Sequence, residues 1–195
     1  MKEHHWTDID YLRKGNHIQQ KTYTILTETE ILRILHKFTP IVIGTIPIEI
    51  DIPGSDIDIA CSFSNLHELK ETITDNFSSY NSFSEKVKEN GSIYVAHFEY
   101  HDLPIEIYAE ALPTNKQNGY RHMLVENRIL QIAGNLFRQQ IIDLKMSGYK
   151  TEPAFGKLLS LENPYQDLLL LESLSEQELR TTINEKYFSN KSNTN

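Results

Sequence analysis

The feature that most constrains this chain is a change of hydrophobic period at Pro40. Before it, the apolar residues of "ILRILHKF" recur at helical spacing; after it, "IVIG" (41–44) is a short continuous apolar run. "SDIDIACSF" (55–63) then alternates with period two. A continuous run suits a strand buried on both faces, and alternation suits a strand with one face in a core. Further on, "SIYVAHFEYHDLPIEIYAEAL" reads as two strands joined by a short turn near Tyr100–Asp102, an antiparallel hairpin. Helical patterning returns from Tyr120. Helices that flank a small sheet predict an α+β unit with a helical C-terminal part.

The punctuation gives provisional boundaries. Thr7 can cap a short helix that Gly15 stops, and a second helical stretch starts near His17. Thr27 with Glu30 has the form of a capping box ahead of "ILRILHKF". Asn65 to about Tyr80 reads as a helix, followed by a Ser/Asn-rich loop. Met123, Leu130, Phe137 and Leu144 recur every seven residues, an apolar stripe on one helix running to about Ser147, with Gly148 placed to end it. Thr151 can cap a helix with Pro153 in its first turn, and Ser175 with Glu178 forms a second capping box. The expected organisation is a core with N-terminal helices over residues 1–115, a helical part packed on it over 116–187, and a disordered tail over 188–195.

Composition limits the partners. The formal net charge of −8 argues against a broad nucleic-acid footprint, which needs clustered Lys and Arg. Cys61 is the only cysteine, so no disulfide can form within the chain and a reducing cytoplasm is the simplest home. "MKEHHWTDID" has no apolar core of the kind a secretory signal needs, and the longest apolar run, Leu168 to Leu171, is far short of the roughly 18 residues of a membrane span. The expectation is a cytoplasmic protein with no membrane segment.

The chemistry is concentrated in "GTIPIEIDIPGSDIDI" (44–59). Asp56 and Asp58 are two apart, so on a strand both carboxylates project to one face while Ile57 and Ile59 point to the other. Two carboxylates so close repel unless a cation lies between them. A pair of divalent ions about 4 Å apart, bridged by such acids, is a standard device for in-line nucleotidyl transfer, and Mg²⁺ suits hard oxygen ligands. Glu106 in "LPIEIY" falls on the same face if its strand lies beside that of Asp58. Gly44 ends a buried strand and lets the backbone approach a phosphate, and the Thr45 hydroxyl can hydrogen-bond to it. Glu49 and Asp51 have the same acid-x-acid spacing, but Pro47 and Pro53 bracket them, as suits a constrained loop.

This stretch resembles the signature of the polymerase-β-like nucleotidyltransferase superfamily: Gly and a small hydroxyl residue, then an acid-apolar-acid-apolar quartet. With "YRHMLVENRIL" and "KTEPAF" it also resembles a bacterial domain-of-unknown-function family of nucleotidyltransferase-like proteins. The resemblance implies a nucleotidyltransferase fold with a small mixed sheet of four or five strands. It implies that Asp56 and Asp58 are metal ligands, with Glu106 the third acid, and that Gly44, Thr45 and Ser55 lie near a triphosphate. The cofactors would be two Mg²⁺ ions and the substrate an NTP, whose nucleoside monophosphate passes to a hydroxyl of a small molecule or protein. The alternative is a catalytically degenerate member of the fold that binds a nucleotide or another protein. It is motivated by the loop "IPIEIDIPG", which carries two extra acids and no Lys or Arg where relatives often carry a basic residue. Arg121 and Arg128 share a helix face and read as a solvated basic surface, with Lys116 or Arg121 as the alternative source of phosphate-binding charge. His122 lies beside them without an assigned role. His17 has no visible partner, His4 and His5 read as terminal decoration, and Cys61 as a small buried strand residue.

Overall fold

A computed structural model describes residues 6–189. His4 and His5 and the tail beyond Ser189 lie outside the described residues. The chain divides into two compact units. The first takes in the residues up to Glu49 and those from Pro53 to Tyr120. The second takes in Ile50–Ile52 and the residues from Arg121 onward.

The first unit is built on a mixed five-stranded sheet of order β1-β2-β5-β4-β3. Its strands are β1 (Ile41–Ile43), β2 (Ile57–Ser62), β3 (Asn81–Lys88), β4 (Ile93–Tyr100) and β5 (Leu103–Glu110). β2 and β5 run parallel and the other neighbours antiparallel. Alternation decides the faces. Ile57, Ile59 and Cys61 of β2 and Ile105, Ile107 and Ala109 of β5 are completely or almost completely buried, in one cluster with Tyr94, Ala96 and Phe98 of β4. Helices α2 (His17–Glu28), α3 (Ile31–Ile34) and α4 (Leu66–Phe77) add Ile25, Leu26, Ile31, Leu69, Ile73 and Phe77 to that cluster. The hairpin turns through His101 and Asp102, both at positive φ (48° and 60°), the twist that two-residue hairpin loops favour.

The structure departs from three local expectations. The Ser/Asn-rich segment after α4 is the edge strand β3, paired with β4 through a bulge between Asn81 and Ser84. Nearly all of its residues are exposed, so no apolar alternation marks it, and its charges suit an edge that must not recruit another strand. Thr27 lies inside α2, its hydroxyl donating to the Tyr23 carbonyl, and Glu30 precedes α3 in a left-handed conformation paired with Arg33. No capping box forms there. The first helix, α1, is Asp10–Arg13; the Asp8 side chain, not Thr7, accepts the Asp10 N–H.

The second unit is helical: the body of α5 (Asn118–Ala133), α6 (Asn135–Met146), α7 (Thr151–Leu159), α8 (Pro164–Glu172) and α9 (Glu176–Ile183), ending in a π-helical turn, Asn184–Phe188. The apolar stripe is real at Met123, Leu130 and Phe137, all buried, but it runs over two helices. Gly134 (φ 82°) breaks the chain between α5 and α6, a backbone conformation that costs glycine little. Lys150, without a side-chain cap bond, precedes α7, so Thr151 is its first residue. The Ser175–Glu178 capping box forms as expected. Among the described residues, no helix is long and apolar enough to cross a membrane.

Candidate functional site

Asp58 of β2 is the register partner of Glu106 on β5, and Glu106 is the partner of His97 on β4. These three side chains occupy one rung on the face opposite the buried cluster. Asp56 precedes β2 by one residue and is half-buried, as are Asp58 and Glu106. On the other side of β2, Asp58 is opposite Ile43, the last residue of β1, so the chain meets the Asp58 side chain as it leaves that strand. The next residue is Gly44, at φ 83°. A Cβ added there would overlap the Asp58 Oδ2 and lie 3.0 Å from its Cγ. Glycine is thus required twice, by conformation and by the carboxylate packed against it.

Thr45 and Ser55 flank the loop that connects the two strands, and both are half-buried. Inside it, Ile46 and Ile48 are buried and Glu49 is exposed with φ 60°. Asp51 belongs to the segment Ile50–Ile52 of the second unit.

Electrostatics marks Glu106. Burial raises its pKa, the His97 charge lowers it, Asp56 raises it and Lys88 lowers it, with a net rise. The His97 Nε2 lies 3.4 Å from the Glu106 Oε2. His97 was not singled out from the sequence, although "VAHFEY" carries the signal: Ala96 and Phe98 face the core, so His97 faces the acids. Glu110, on the same face of β5, accepts the Tyr108 hydroxyl at 2.8 Å, and Asp102 is exposed in the hairpin turn. Cys61 is fully buried, and burial pushes its thiol up to about 12.

The donor types fit a hard divalent cation: Asp58 and Glu106 offer carboxylate oxygens on one face of adjacent strands, and Asp56, one residue before β2, is near enough for its charge to act on Glu106. The three carboxylates do not close on a single point: among the described residues no three His, Cys, Asp or Glu side chains form a metal-ligating group.

Arg121 and Arg128 do not form a solvated basic face. The Arg121 guanidinium is paired with Glu172 at 2.6 Å, and Arg128 donates to the carbonyls of Glu172 (2.8 Å) and Leu174 (2.6 Å). Both serve the C-terminal end of α8, where carbonyls lack helical partners and a cation is favoured. His122 is buried; its Nε2 meets the Tyr165 carbonyl at 2.8 Å and its Nδ1 lies 3.4 Å from Glu152. Lys116 is exposed in the short turn before α5.

The sequence has no match among curated proteins. Among solved structures, it is similar to Cid1, described as having RNA terminal uridylyl transferase activity, with a TM-score of 0.53 and 9% identity over 84% of this chain and 52% of that one. A second Cid1 structure, a poly(U) polymerase with MgGTP bound, gives a TM-score of 0.51 and 10% identity over 78% of this chain and 48% of that one. The chain thus spans about half the length of the solved structures it matches. At such identities the likeness concerns the fold, a nucleotidyltransferase-like α+β architecture with a mixed five-stranded sheet and flanking helices. Residues 24–171, most of the chain, match the family described as Domain of unknown function (DUF4269). The chain belongs to the DUF4269 family.

Proposed function

We propose that the protein transfers a nucleoside monophosphate from an NTP to a hydroxyl of a small molecule or protein, in a cytoplasmic setting. The observation that carries this reading is the register of Asp58 with Glu106 on adjacent parallel strands, beside a glycine that no other residue could replace without moving Asp58. Asp56, Asp58 and Glu106 would hold Mg²⁺, which when bound neutralises phosphate charge.

The rest falls to the chain itself. Gly44 leaves the backbone open to a phosphate, and the hydroxyls of Thr45 and Ser55 are its hydrogen-bonding neighbours. The acceptor hydroxyl oxygen bonds to the α-phosphorus as the bond from that phosphorus to the bridging oxygen breaks, and pyrophosphate leaves. Glu106 takes the hydroxyl proton. The solved relatives act on RNA ends by their descriptions, but a net charge of −8 favours a small or protein acceptor here.

A second reading, a nucleotide- or protein-binding member without turnover, is favoured by one observation: the loop after Thr45 carries the exposed Glu49 and no basic residue. Calorimetric titration with Mg²⁺ and each NTP, followed by incubation with labelled NTPs and cell extract, separates the two. Transfer reads out as a nucleotide adduct that Asp56→Asn abolishes. Nucleotide binding without any adduct selects the second reading. If no nucleotide binds and Asp56→Asn changes nothing, the enzymatic reading fails.

A further inference from the structure

Gln19, on α2, is 2% exposed and uses every polar atom of its side chain. Its Oε1 accepts the Asn16 backbone N–H at 3.0 Å, and the Asn16 side chain accepts the Gln19 N–H at 3.0 Å, closing a capping box. Its Nε2 donates to the carbonyls of Ile46 (3.0 Å) and Pro47 (3.2 Å), 27 and 28 residues away. Those carbonyls lie one and two residues beyond Thr45.

The chemistry of this position is more demanding than a cap. Either Glu or Gln completes a capping box, because the box needs only an acceptor at that position. Two consecutive loop carbonyls need donors, and a carboxylate has none. The Asn16 N–H also fixes which way the amide points, since a flipped Gln19 would set its oxygen against two carbonyl oxygens. The neighbouring backbone is shaped to the same group: a Cβ on Gly15 would overlap the Gln19 Oε1 and come within 2.7 Å of its Cδ.

We infer that Gln19 is a positioning residue for the Gly44–Thr45 loop, fixing the carbonyls of Ile46 and Pro47 and through them the backbone offered to the nucleotide phosphates. The nucleotide part rests on the reading proposed above; the loop-fixing part does not. Helix cap and loop tether are separable by mutation. Gln19→Glu keeps the cap acceptor and removes both donors. Asn16→Ala removes the cap acceptor for Gln19 while leaving the tether and the Asn16 N–H in place. Gln19→Met keeps the volume and removes all polar function, in case a buried carboxylate prevents folding.

Amide hydrogen exchange is measured across residues 44–49 and α2, with binding of Mg-UTP and Mg-ATP followed by calorimetry. Expected in Gln19→Glu or Gln19→Met is about tenfold faster exchange in the loop and about tenfold weaker nucleotide binding, the loss of roughly one buried hydrogen bond's stabilisation. Asn16→Ala should lower the thermal midpoint yet leave loop exchange and affinity unchanged. Unaltered loop exchange in both Gln19 variants overturns the inference. If the wild-type protein binds neither nucleotide, the functional reading falls, and loop exchange alone decides the tether.

Discussion

The Nδ1 of His122 on α5 lies 3.4 Å from the Glu152 carboxylate on α7, and one helical turn along α5 the buried Glu126 has an Oε1 without a hydrogen-bond partner. Burial, then the Glu152 charge, push Glu126 up to about 8, with His122 and Lys145 acting in the opposite direction. The folded chain therefore holds this proton between the ordinary value of 4.5 and about 8, where the unfolded chain has released it. Its contribution is full below 4.5 and is lost as pH rises through about 8. Glu126→Gln, which resembles the protonated acid, should flatten that slope and raise stability by roughly 2–4 kcal/mol above pH 8. Thermal midpoints of both proteins from pH 4 to 9 check it; parallel curves would contradict it.

The His122–Glu152 pair has a different window. Burial lowers the His122 pKa, but the Glu152 bond, the Tyr165 carbonyl and the two Glu charges raise it above 6.5 overall. Burial raises Glu152, but the His122 bond, a backbone N–H and the His122 and Lys150 charges together outweigh it, leaving Glu152 below 4.5. The histidine's contribution is lost as pH rises through its raised value, and the glutamate's as pH falls through its lowered one. The coupling should thus be greatest between 4.5 and 6.5. A double-mutant cycle with His122→Asn and Glu152→Gln should give about 1–3 kcal/mol in that window and less at pH 9.

Gly44→Ala should be costly for two separable reasons. Left-handed backbone at a residue with a Cβ costs about 1 kcal/mol, and displacing the Asp58 carboxylate adds to it. Gly54 isolates the first cost: its φ is 90°, yet nothing lies within 4 Å of an added Cβ. Denaturant midpoints should rank wild type above Gly54→Ala above Gly44→Ala, and Gly44→Ala alone should lose Mg-nucleotide binding. Equal losses for the two variants would remove the close approach to Asp58 from the account.

Glu106→Gln should stabilise the protein while abolishing the proposed transfer. Burial and Asp56 both disfavour the Glu106 charge, and the amide removes it. A functional acid held against its own electrostatics commonly yields stability when neutralised. The thermal midpoint at pH 8 should rise and Mg-dependent nucleotide affinity should fall. A lower midpoint would mean that the His97 contact outweighs the repulsion.

Much of this was legible in the sequence, for a physical reason. β1, β2, β4 and β5 announce themselves because their core faces demand alternating or continuous apolar residues, and the same alternation sets Asp58 and Glu106 on one face. β3 carries no such signature because its binding is backbone pairing at an exposed edge. The break at Gly134 was hidden by a stripe whose residues stay buried on both helices. Long-range polar contacts were invisible in principle: nothing local to Arg128 names the end of α8, nor does anything near Gln19 name Ile46.

Lys145 is the strongest such case. It is 7% exposed on α6, and its Nζ donates to the Ile50 carbonyl at 2.6 Å, 95 residues away in sequence. Read along the chain, Ile50 stands between two acids with no basic residue nearby, while the ammonium that meets its backbone comes from a helix far downstream. Ile50 is itself fully buried, so its carbonyl has no easy recourse to water. Lys145→Met keeps the aliphatic stem and removes the donor, leaving a buried carbonyl unsatisfied at a cost of about 1–3 kcal/mol. Lys145→Arg should rescue only in part, because a wider planar group must fit where a compact ammonium did. The check is amide exchange over residues 50–52 alongside the denaturant midpoint: faster exchange there in Lys145→Met supports the tether, whereas a lower midpoint with unchanged exchange assigns Lys145 to packing alone.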